Sequence, residues 1–258
     1  MTFSFTKYHG TGNDFIMIDC TKNKDFTLTS EQISELCDRR FGIGADGVIL
    51  ISSHPNLNFT MTYFNSDGSQ SFCGNGARCA VHFSSSLGLI TNKATFEAID
   101  GIHEATLSNG LISLKMNDVP SFSKDETAFI LDTGSPHFVK FVADVDDVDI
   151  VAFGKQIRYS SKYKKEGINV NVVEVLEDNL LEMLTYERGV EDETYSCGTG
   201  ATAVALAFAL VLDYDEVDVK IMVKGGELAV KADRNESSFD SIYLIGPAEK
   251  VFEGVISI

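Results

Sequence analysis

Residues 197–212 read Cys197-Gly198-Thr199-Gly200-Ala201 followed by TAVALAFALVL, and no charged side chain interrupts the run. The small and apolar residues after the cysteine predict a helix over Gly198–Leu212. Because this helix is apolar on every face, none of its sides suits solvent. We therefore expect it to be a central helix wrapped by a β-sheet.

The same opening occurs 124 positions earlier, at close to half the chain length, as Cys73-Gly74-Asn75-Gly76-Ala77. It precedes a second predicted helix over Gly74–Leu87, and both motifs follow a strand and a polar turn. The repetition predicts an α+β protein with two similar, pseudo-symmetric halves. Each half would be a mixed, curled sheet around one apolar helix, with the active site in the cleft between them.

The two halves are expected to meet near Val119–Asp125, where Pro120 and several polar residues interrupt the strand pattern. The N-terminal half would comprise residues 1–118 and carry Cys73. The C-terminal half would comprise residues 119–249 and carry Cys197. The final strand, residues 250–258, could pack back onto the first half.

Two further helices are predicted. Ser30–Arg39 follows the capping-box pattern of Thr29 and Gln32 and should stop at Gly42, and a weaker pattern covers Val148–Gln156. Most of the remaining chain is predicted as short strands, because β-branched and aromatic runs alternate with turn residues. These runs are Thr2–His9, Asp14–Asp19, Val48–Ser52, Phe59–Phe64, Ala94–Ala98, His103–Leu107, Leu111–Met116, Ala128–Asp132, His137–Val142, Ile168–Val175, Val217–Val223, Leu228–Ala232 and Ser241–Ile245.

The composition of the chain argues against several classes of partner and location. The chain has 258 residues, 44% hydrophobic content and a net charge of −17, which argues against nucleic acid or an anionic membrane as a partner. The basic cluster Lys162–Lys165 is short and is expected in a solvated loop. The N-terminus has no apolar signal core, and the apolar part of the uncharged run Tyr195–Leu212 is too short to span a bilayer comfortably. We expect a cytoplasmic protein.

The five cysteines are Cys20, Cys37, Cys73, Cys79 and Cys197. An odd count in a chain of this length does not fit a secreted disulfide framework, and free thiols in a reducing compartment fit better. No C-x-x-C pair is present, so no metal site is predicted. Cys20, Cys37 and Cys79 lack the glycine motif and are expected in or near the core.

Cys73 and Cys197 each stand at a predicted helix N-terminus, where unpaired N–H groups and the helix dipole favour an anion. Such a position lowers the pKa of a cysteine from about 8.5 to between roughly 3.5 and 7.5. The same N–H groups can bind a carboxylate or a developing oxyanion. Two such motifs facing one α-carbon could therefore remove its proton as thiolate and return one to the opposite face as thiol.

The chain resembles the diaminopimelate epimerase family, whose members are two-base amino-acid epimerases that use no pyridoxal phosphate. The resemblance runs nearly end to end, and its most specific parts are the two cysteine motifs with Glu-Arg-Gly upstream of the second. The matching stretches are Tyr8–Phe15, Arg40–Gly47, Phe64–Gly68, Cys73–Cys79, Asp132–His137, Gly167–Asn169, Glu187–Gly189 and Cys197–Gly200.

The resemblance implies the conversion of L,L-diaminopimelate to meso-diaminopimelate, a step in lysine and peptidoglycan precursor synthesis, with no cofactor and as a homodimer. It implies Cys73 and Cys197 as the acid/base pair, with His137 and Glu187 tuning their pKa values. The implied substrate-binding residues are Asn13, Asn65, Gly74, Asn75, Asn169, Glu187, Arg188, Gly198 and Thr199.

Three departures from the family pattern affect these expectations. Ser135 stands where the family often has Asn, so one substrate contact is expected to be shortened or bridged by water. Gly47 stands where some members have Gln, and no contact is assigned to it. The loop from Asn65 to Cys73 is about one residue shorter than usual, which affects the placement of Asn65.

Other functions fit the residues less well. A proline or hydroxyproline racemase would use the same two thiols, but Glu187 and Arg188 predict a substrate with a second charged end. A redox sensor would join Cys73 and Cys197 in a reversible disulfide, and a binding module would use neither thiol chemically. Nucleotide binding lacks support because Gly10-Thr11-Gly12 and Gly42-Ile43-Gly44 have no P-loop or dinucleotide context.

Overall fold

The computed structural model describes residues 1–23 and 25–258. The chain divides into two compact units. Unit 1 comprises Met1–Leu114 together with Gly246–Ile258, and unit 2 comprises Lys115–Ile245. No helix within the described residues has the length and apolar character needed to cross a membrane.

Unit 1 is a mixed sheet with two helices, α1 (Ser30–Cys37) and α2 (Gly74–Ser86). Its neighbouring strands follow the order β17-β1-β2-β3-β4-β5-β6-β7, and helix α2 packs against β1, β2, β3, β4 and β6. The strands are β1 (Thr2–Gly10), β2 (Asn13–Asp19), β3 (Gly47–Ser52), β4 (Phe59–Asn65), β5 (Lys93–Ala98), β6 (Gly101–Ser108), β7 (Leu111–Lys115) and the last strand of the described chain, β17 (Glu249–Ser257).

Unit 2 is likewise a mixed sheet with two helices, α3 (Ile150–Arg158) and α4 (Gly198–Leu212). Its strands follow the order β8-β9-β10-β11-β12-β14-β15-β16, with β13 paired to the end of β12. The strands are β8 (Phe122–Asp125), β9 (Ala128–Asp132), β10 (Pro136–Phe141), β11 (Asn169–Glu177), β12 (Leu180–Glu187), β13 (Asp192–Glu193), β14 (Glu216–Val223), β15 (Gly226–Asn235) and β16 (Ser238–Pro247).

The two sheets have the same connectivity. From β17 to β7 in unit 1, the pairings run antiparallel, antiparallel, parallel, antiparallel, parallel, antiparallel, antiparallel, and from β8 to β16 in unit 2 they run in the same sequence. Helices α1 and α3 join the first parallel pair, and α2 and α4 join the second. The predicted α+β fold of two similar halves is confirmed.

The register of the two units matches residue by residue at the first parallel pair. Phe15 faces Gly47 in unit 1, and His137 faces Asn169 in unit 2, so that equivalent residues differ by 122 in number. With the same offset, Asn13 of unit 1 is equivalent to Ser135 of unit 2, and Asn65 of unit 1 is equivalent to Glu187 of unit 2. Asn65 and Glu187, which the sequence assigned to substrate binding, thus occupy equivalent positions in the two sheets.

Helix α4 is the central element of unit 2, as its composition predicted. Gly198 and every residue of the run 200–209 are buried, and strands β9, β10, β11, β14 and β15 surround the helix. The helix ends at Asp213, whose left-handed backbone has φ 57°. Burial on all sides accounts for the absence of polar residues after Thr202.

Four helix boundaries differ from the sequence-based prediction, and one of them is the end of α3, which lies at Arg158 rather than Gln156. Helix α1 ends at Cys37, two residues early, because Asp38 turns to an extended backbone and its carboxylate accepts from the backbone nitrogens of Arg40 and Phe41. Helix α3 begins at Ile150 because the Asp149 carboxylate caps the backbone nitrogen of Ala152, at 2.9 Å. Helix α2 stops one residue short of its predicted end, and the capping box at Thr29 is confirmed.

The glycine-rich run at Gly10-Thr11-Gly12 has a structural role. Thr11 and Gly12 have φ values of 50° and 86° and form the two-residue turn between β1 and β2. Two consecutive residues with positive φ form the turn type whose twist suits a tight hairpin. A β-carbon at Gly10 would lie 3.0 Å from the Asn75 carbonyl oxygen, so this glycine also lets α2 approach the strand.

Candidate active site

Cys73 is the N-cap residue of α2 and is half-buried. Its extended backbone, with φ −136°, places the sulfur where the Gly76 backbone nitrogen donates to it at 3.5 Å. The side-chain oxygen of Asn13 lies 3.5 Å from the same sulfur. The thiol therefore lies against both the positive end of the helix and an amide from the start of β2.

The amide of Asn13 is held in one orientation. Its Nδ2 donates to Asp46 Oδ2 at 2.6 Å, and its Oδ1 accepts from Asn75 Nδ2 at 3.2 Å. Since a carboxylate can only accept, the nitrogen must face Asp46, and the oxygen must face Cys73. Asp46 was not among the predicted site residues.

A cluster of charged side chains surrounds Asp46, the carboxylate that binds the Asn13 amide. Arg39 bridges Asp14 and Asp46 with contacts of 2.7 Å to each, and the buried Lys7 ammonium donates to Asp14 at 2.6 Å. Burial by itself would raise the pKa of Asp14, but the hydrogen bonds and charges of Arg39 and Lys7 hold that pKa at about 2. The Asp14 carboxylate is therefore ionised throughout the physiological range.

Helix α2 also buries an arginine. Arg78 is fully buried, and it donates through Nη2 to Thr11 Oγ1 at 3.1 Å and through Nε to the Pro247 carbonyl at 3.3 Å. Burial lowers the pKa of Arg78, while the neighbouring thiol groups of Cys79 and Cys73 act in the opposite direction. A guanidinium near Cys73 favours negative charge at that sulfur.

Asn65 and Gly47 lie at the paired ends of β4 and β3. The Asn65 amide nitrogen donates to Ser69 Oγ at 3.0 Å and to Ser71 Oγ at 3.2 Å, within the loop that leads to Cys73. A β-carbon at Gly47 would lie 2.3 Å from the Phe64 carbonyl oxygen and 2.5 Å from the Tyr63 ring. A side chain larger than glycine at position 47 would collide with these atoms.

Cys197 is the N-cap residue of α4 and is 7% exposed. Its sulfur lies 3.5 Å from the hydroxyl of Thr199. A β-carbon at Gly200 would lie 3.3 Å from the same sulfur and 2.7 Å from Asn171 Oδ1. Glycine at position 200 is thus required by the close approach of the thiol and of strand β11.

His137 is completely buried on β10 beside this thiol motif. Its Nε2 lies 2.9 Å from Thr199 Oγ1, and its Nδ1 lies 3.0 Å from Asn171 Nδ2. Burial, followed by the positive charge of Arg188, lowers the pKa of His137 to about 3. The imidazole is therefore neutral at physiological pH, and it reaches the Cys197 motif through the Thr199 hydroxyl.

Asn169, Ser135 and Arg188 form one cluster at the edge of unit 2. Asn169 Nδ2 donates to Ser135 Oγ at 2.7 Å, and Asn169 Oδ1 accepts from the Arg188 backbone nitrogen at 2.8 Å. The Arg188 guanidinium donates to the Glu166 carbonyl at 2.9 Å and lies 3.5 Å from Ser135 Oγ. A β-carbon at Gly167 would lie 2.5 Å from Arg188 Cδ, so that glycine makes room for the arginine stem.

Glu187 ends β12, and the turn that follows it is fixed by Glu191. The Glu191 carboxylate accepts from the hydroxyls of Tyr186, at 2.8 Å, and Tyr159, at 2.9 Å, and pairs with Arg158 at 3.3 Å. Burial raises the pKa of Tyr186, and its hydrogen bond to Glu191 raises it further. Sequence analysis missed this residue, since a glutamate just after Glu-Arg-Gly has no local signal of its partners.

Cys20, Cys37 and Cys79 are buried, as predicted for core residues. Burial raises the pKa of the Cys20 and Cys37 thiols to about 11 and raises that of Cys79 as well. These three thiols are therefore protonated at physiological pH. Within the described part of the chain, no group of three or more His, Cys, Asp or Glu side chains is arranged to hold a metal ion.

Comparison with known proteins identifies the family of the chain. A family model for diaminopimelate epimerase matches residues 5–117 and 129–251. The chain belongs to the diaminopimelate epimerase family. A diaminopimelate epimerase from Flavobacterium psychrophilum is 48% identical over 97% of this chain and 98% of that one. Another, from Chlorobaculum tepidum, is 40% identical over 96% of this chain and 99% of that one.

Solved structures of other proteins have a fold similar to that of this chain. A PhzF-family phenazine biosynthesis protein from Bacillus anthracis superposes with a TM-score of 0.75 at 16% identity, with both chains fully covered. A hydroxyproline epimerase from Agrobacterium vitis, solved with bound trans-4-hydroxy-L-proline, gives 0.66 at 14% identity and covers 100% of this chain and 93% of that one. At these identities the likeness concerns the fold alone. The resemblance drawn from the sequence motifs is confirmed by the family match.

Proposed function

We propose that the protein is a diaminopimelate epimerase, which converts L,L-diaminopimelate to meso-diaminopimelate without a cofactor in lysine and peptidoglycan precursor synthesis. The observation that carries the proposal is the repeated cysteine N-cap. Cys73 and Cys197 begin equivalent helices of two sheets with the same connectivity, in a chain of the diaminopimelate epimerase family. Each sulfur has a fixed polar neighbour, Asn13 or Thr199.

In the proposed mechanism Cys73 and Cys197 act on the same α-carbon of the bound substrate. One cysteine, as thiolate, removes the α-proton and becomes a thiol. The electron pair left on the α-carbon is delocalised into the α-carboxylate, and the N–H groups at the two helix N-termini stabilise the growing negative charge. The other cysteine, as thiol, donates a proton to the opposite face and becomes a thiolate, so the configuration inverts and the roles are exchanged.

We propose that Gly74, Asn75, Gly198 and Thr199 hold the reacting carboxylate, since these residues form the first turns of α2 and α4. Asn13, Asn65, Asn169, Glu187 and Arg188 would bind the rest of the substrate, chiefly its distal amino-acid group. Arg188 suits that role because its backbone nitrogen donates to Asn169 and its guanidinium donates to the Glu166 carbonyl, which together position the side chain. An arginine matches a carboxylate in a paired, bidentate manner.

The test is turnover of L,L-diaminopimelate in deuterated water, where epimerisation should place deuterium on the inverted α-carbon. Cys73→Ala and Cys197→Ala should each abolish inversion, because each removes one of the two acid/base groups. Cys20→Ala, which truncates a buried thiol outside both motifs, is the matched control and should retain turnover. Full activity of either motif variant, or turnover of proline in place of diaminopimelate, would contradict the proposal.

We also propose that the enzyme is a homodimer in the cytoplasm, as the family resemblance implies. Sedimentation velocity of the purified chain should give a mass of twice 28.2 kDa. Cell fractionation should recover the activity in the cytosolic fraction. A monomer that turns over at the full rate would refute the dimer.

A further inference from the structure

Strand β11 carries a buried amide that no sequence motif assigned. Asn171 is fully buried, and its Nδ2 lies 3.2 Å from the Phe138 carbonyl oxygen and 3.0 Å from His137 Nδ1. Its Oδ1 accepts from the Thr185 hydroxyl at 3.0 Å. Because a carbonyl can only accept, the atom that faces Phe138 must be the nitrogen, and the Thr185 hydroxyl satisfies the oxygen.

This orientation determines the protonation of His137. An amide nitrogen has two hydrogens and accepts none, so the second hydrogen of Asn171 must be donated to Nδ1 of the imidazole. A neutral histidine that accepts at Nδ1 carries its proton on Nε2. That proton is then donated to Thr199 Oγ1, 2.9 Å away.

The hydroxyl of Thr199 has one hydrogen of its own, and the Cys197 sulfur lies 3.5 Å from its oxygen. Since Nε2–H already supplies a donor to that oxygen, the hydroxyl hydrogen is available to the sulfur. The backbone of Thr199 is anchored as well, because Thr133 Oγ1 donates to its carbonyl at 2.8 Å. Arg188, in the turn after β12, is a charged group that acts on the imidazole and lowers its pKa.

We propose that Asn171 is a positioning residue, which holds His137 as the Nε2–H tautomer and thereby directs the Thr199 hydroxyl hydrogen to the Cys197 thiolate. This inference rests on the proposed function in taking Cys197 as an acid/base group. It assigns a donor and an acceptor to each hydrogen bond of the chain. Asn171 donates to His137, His137 donates to Thr199, and Thr199 donates to Cys197. When Cys197 is a thiol, the same hydroxyl oxygen can accept its proton, so the chain serves both protonation states.

The first test is nitrogen NMR of the protein labelled with ¹⁵N-histidine, with the His137 signals among the five histidines identified by their loss in His137→Gln. The wild-type protein should show a protonated Nε2 and an unprotonated Nδ1 for His137. A protonated Nδ1 in the wild type would overturn the proposal. In Asn171→Asp the donor opposite Nδ1 becomes an acceptor, so Nδ1 should become protonated. An unchanged tautomer in a folded Asn171→Asp protein would also overturn it.

The second test measures the Cys197 thiolate by the pH dependence of iodoacetamide alkylation, read for the Cys197 peptide by mass spectrometry. Thr199→Val removes the hydroxyl, and its alkylation midpoint should rise by about one to two pH units, the effect of losing a hydrogen bond to a charged acceptor. Thr199→Ser keeps the hydroxyl and should retain the wild-type midpoint. Equal midpoints in Thr199→Val and the wild type would overturn the proposal. This test does not depend on whether the Asn171→Asp protein folds.

Neither measurement uses diaminopimelate or turnover. A chain that shows the Nε2–H tautomer and the Thr199→Val shift but does not epimerise diaminopimelate would refute the proposed function and retain the hydrogen-bond chain. An active epimerase in which His137 carries its proton on Nδ1 would support the proposed function and refute the hydrogen-bond chain.

Discussion

Asp46 accepts a hydrogen bond of 2.6 Å from the side-chain nitrogen of Asn13, and this bond determines which end of the Asn13 amide faces Cys73. The oxygen end lies 3.5 Å from the sulfur, and an acceptor there favours the protonated thiol. In unit 2 the corresponding neighbour of Cys197 is a hydroxyl, which can also donate. The two thiols therefore have chemically different surroundings although they begin equivalent helices.

Removing the Asp46 carboxylate should change the reactivity of Cys73. In Asp46→Ala the Asn13 amide can turn its nitrogen to the sulfur, and a donor there stabilises the thiolate. We expect the pH midpoint for alkylation of Cys73 to fall by about one unit, measured by mass spectrometry of the Cys73 peptide. Asp46→Asn, which keeps a side-chain oxygen for Asn13, is the control and should lie near the wild type. Identical midpoints in Asp46→Ala and the wild type would show that Asp46 does not orient the amide.

Asp14 should contribute stability that depends on pH. Its pKa in the folded protein is about 2, below its ordinary value of 3.8, so its contribution is fully present above pH 3.8 and is lost as the pH falls toward 2. The shift corresponds to about 2 kcal/mol at neutral pH. Urea unfolding of Asp14→Asn should show at least that loss at pH 7 and a shrinking difference from the wild type below pH 4. The exposed Asp118→Asn is the control, and a loss independent of pH would contradict the prediction.

Ser135 should affect substrate binding through its two neighbours. Ser135→Ala removes the oxygen that accepts from Asn169 and that lies near the Arg188 guanidinium. We expect KM for diaminopimelate to rise by roughly three- to ten-fold, the effect of one lost hydrogen bond, with a smaller change in kcat. Ser135→Asn supplies the residue that relatives often have and should keep KM within about three-fold of the wild type. A fall in kcat at constant KM would place Ser135 in the chemical step instead.

The glycines three residues after the two cysteines should differ in their tolerance of alanine. A β-carbon at Gly200 would lie 2.7 Å from the buried Asn171 Oδ1, whereas at Gly76 the nearest atom is Ile49 Cδ1, the flexible end of a side chain, at 3.0 Å. Gly200→Ala should therefore destabilise the protein by about 1–3 kcal/mol in urea unfolding and lower its turnover. Gly76→Ala should cost less, because helix propensity offsets part of the contact. Equal losses in the two variants would contradict this reading.

Much of the fold could be predicted because its signals are local. The run 198–212 is apolar on every face, which predicts a buried helix, and the repeated cysteine motif predicted the duplication. Helix ends were less predictable. Asp38 and Asp149 act through backbone hydrogen bonds that depend on the path of the chain, so α1 and α3 were displaced by two residues at their ends. The strand before the second cysteine motif was predicted without bounds, and the structure gives them as Leu180–Glu187 in β12.

The site was predictable only as far as motifs reach. The cysteines, His137 and Arg188 belong to recognisable stretches, and their roles stay predictions. Asp46, Asn171 and Glu191 make their contacts with residues from other strands and turns, at separations that no sequence period reveals. At Gly47 the departure from the family pattern was visible in the sequence, and only the structure gives its cause. The backbone of Gly47 packs so closely against Tyr63 and Phe64 that a glutamine would not fit.

Strand β17 takes in unit 1 the place that β8 takes in unit 2, although it is made after all of unit 2. During synthesis on a ribosome, all strands of unit 2 are made before β17. The β1 edge of unit 1 therefore stays unpaired until residues 249–257 have been synthesised. The order of maturation is therefore reversed relative to the direction of translation, in contrast to the usual N-terminal-first order. A nascent chain stalled before residue 249 would present β1 as an open edge for pairing with other polypeptides.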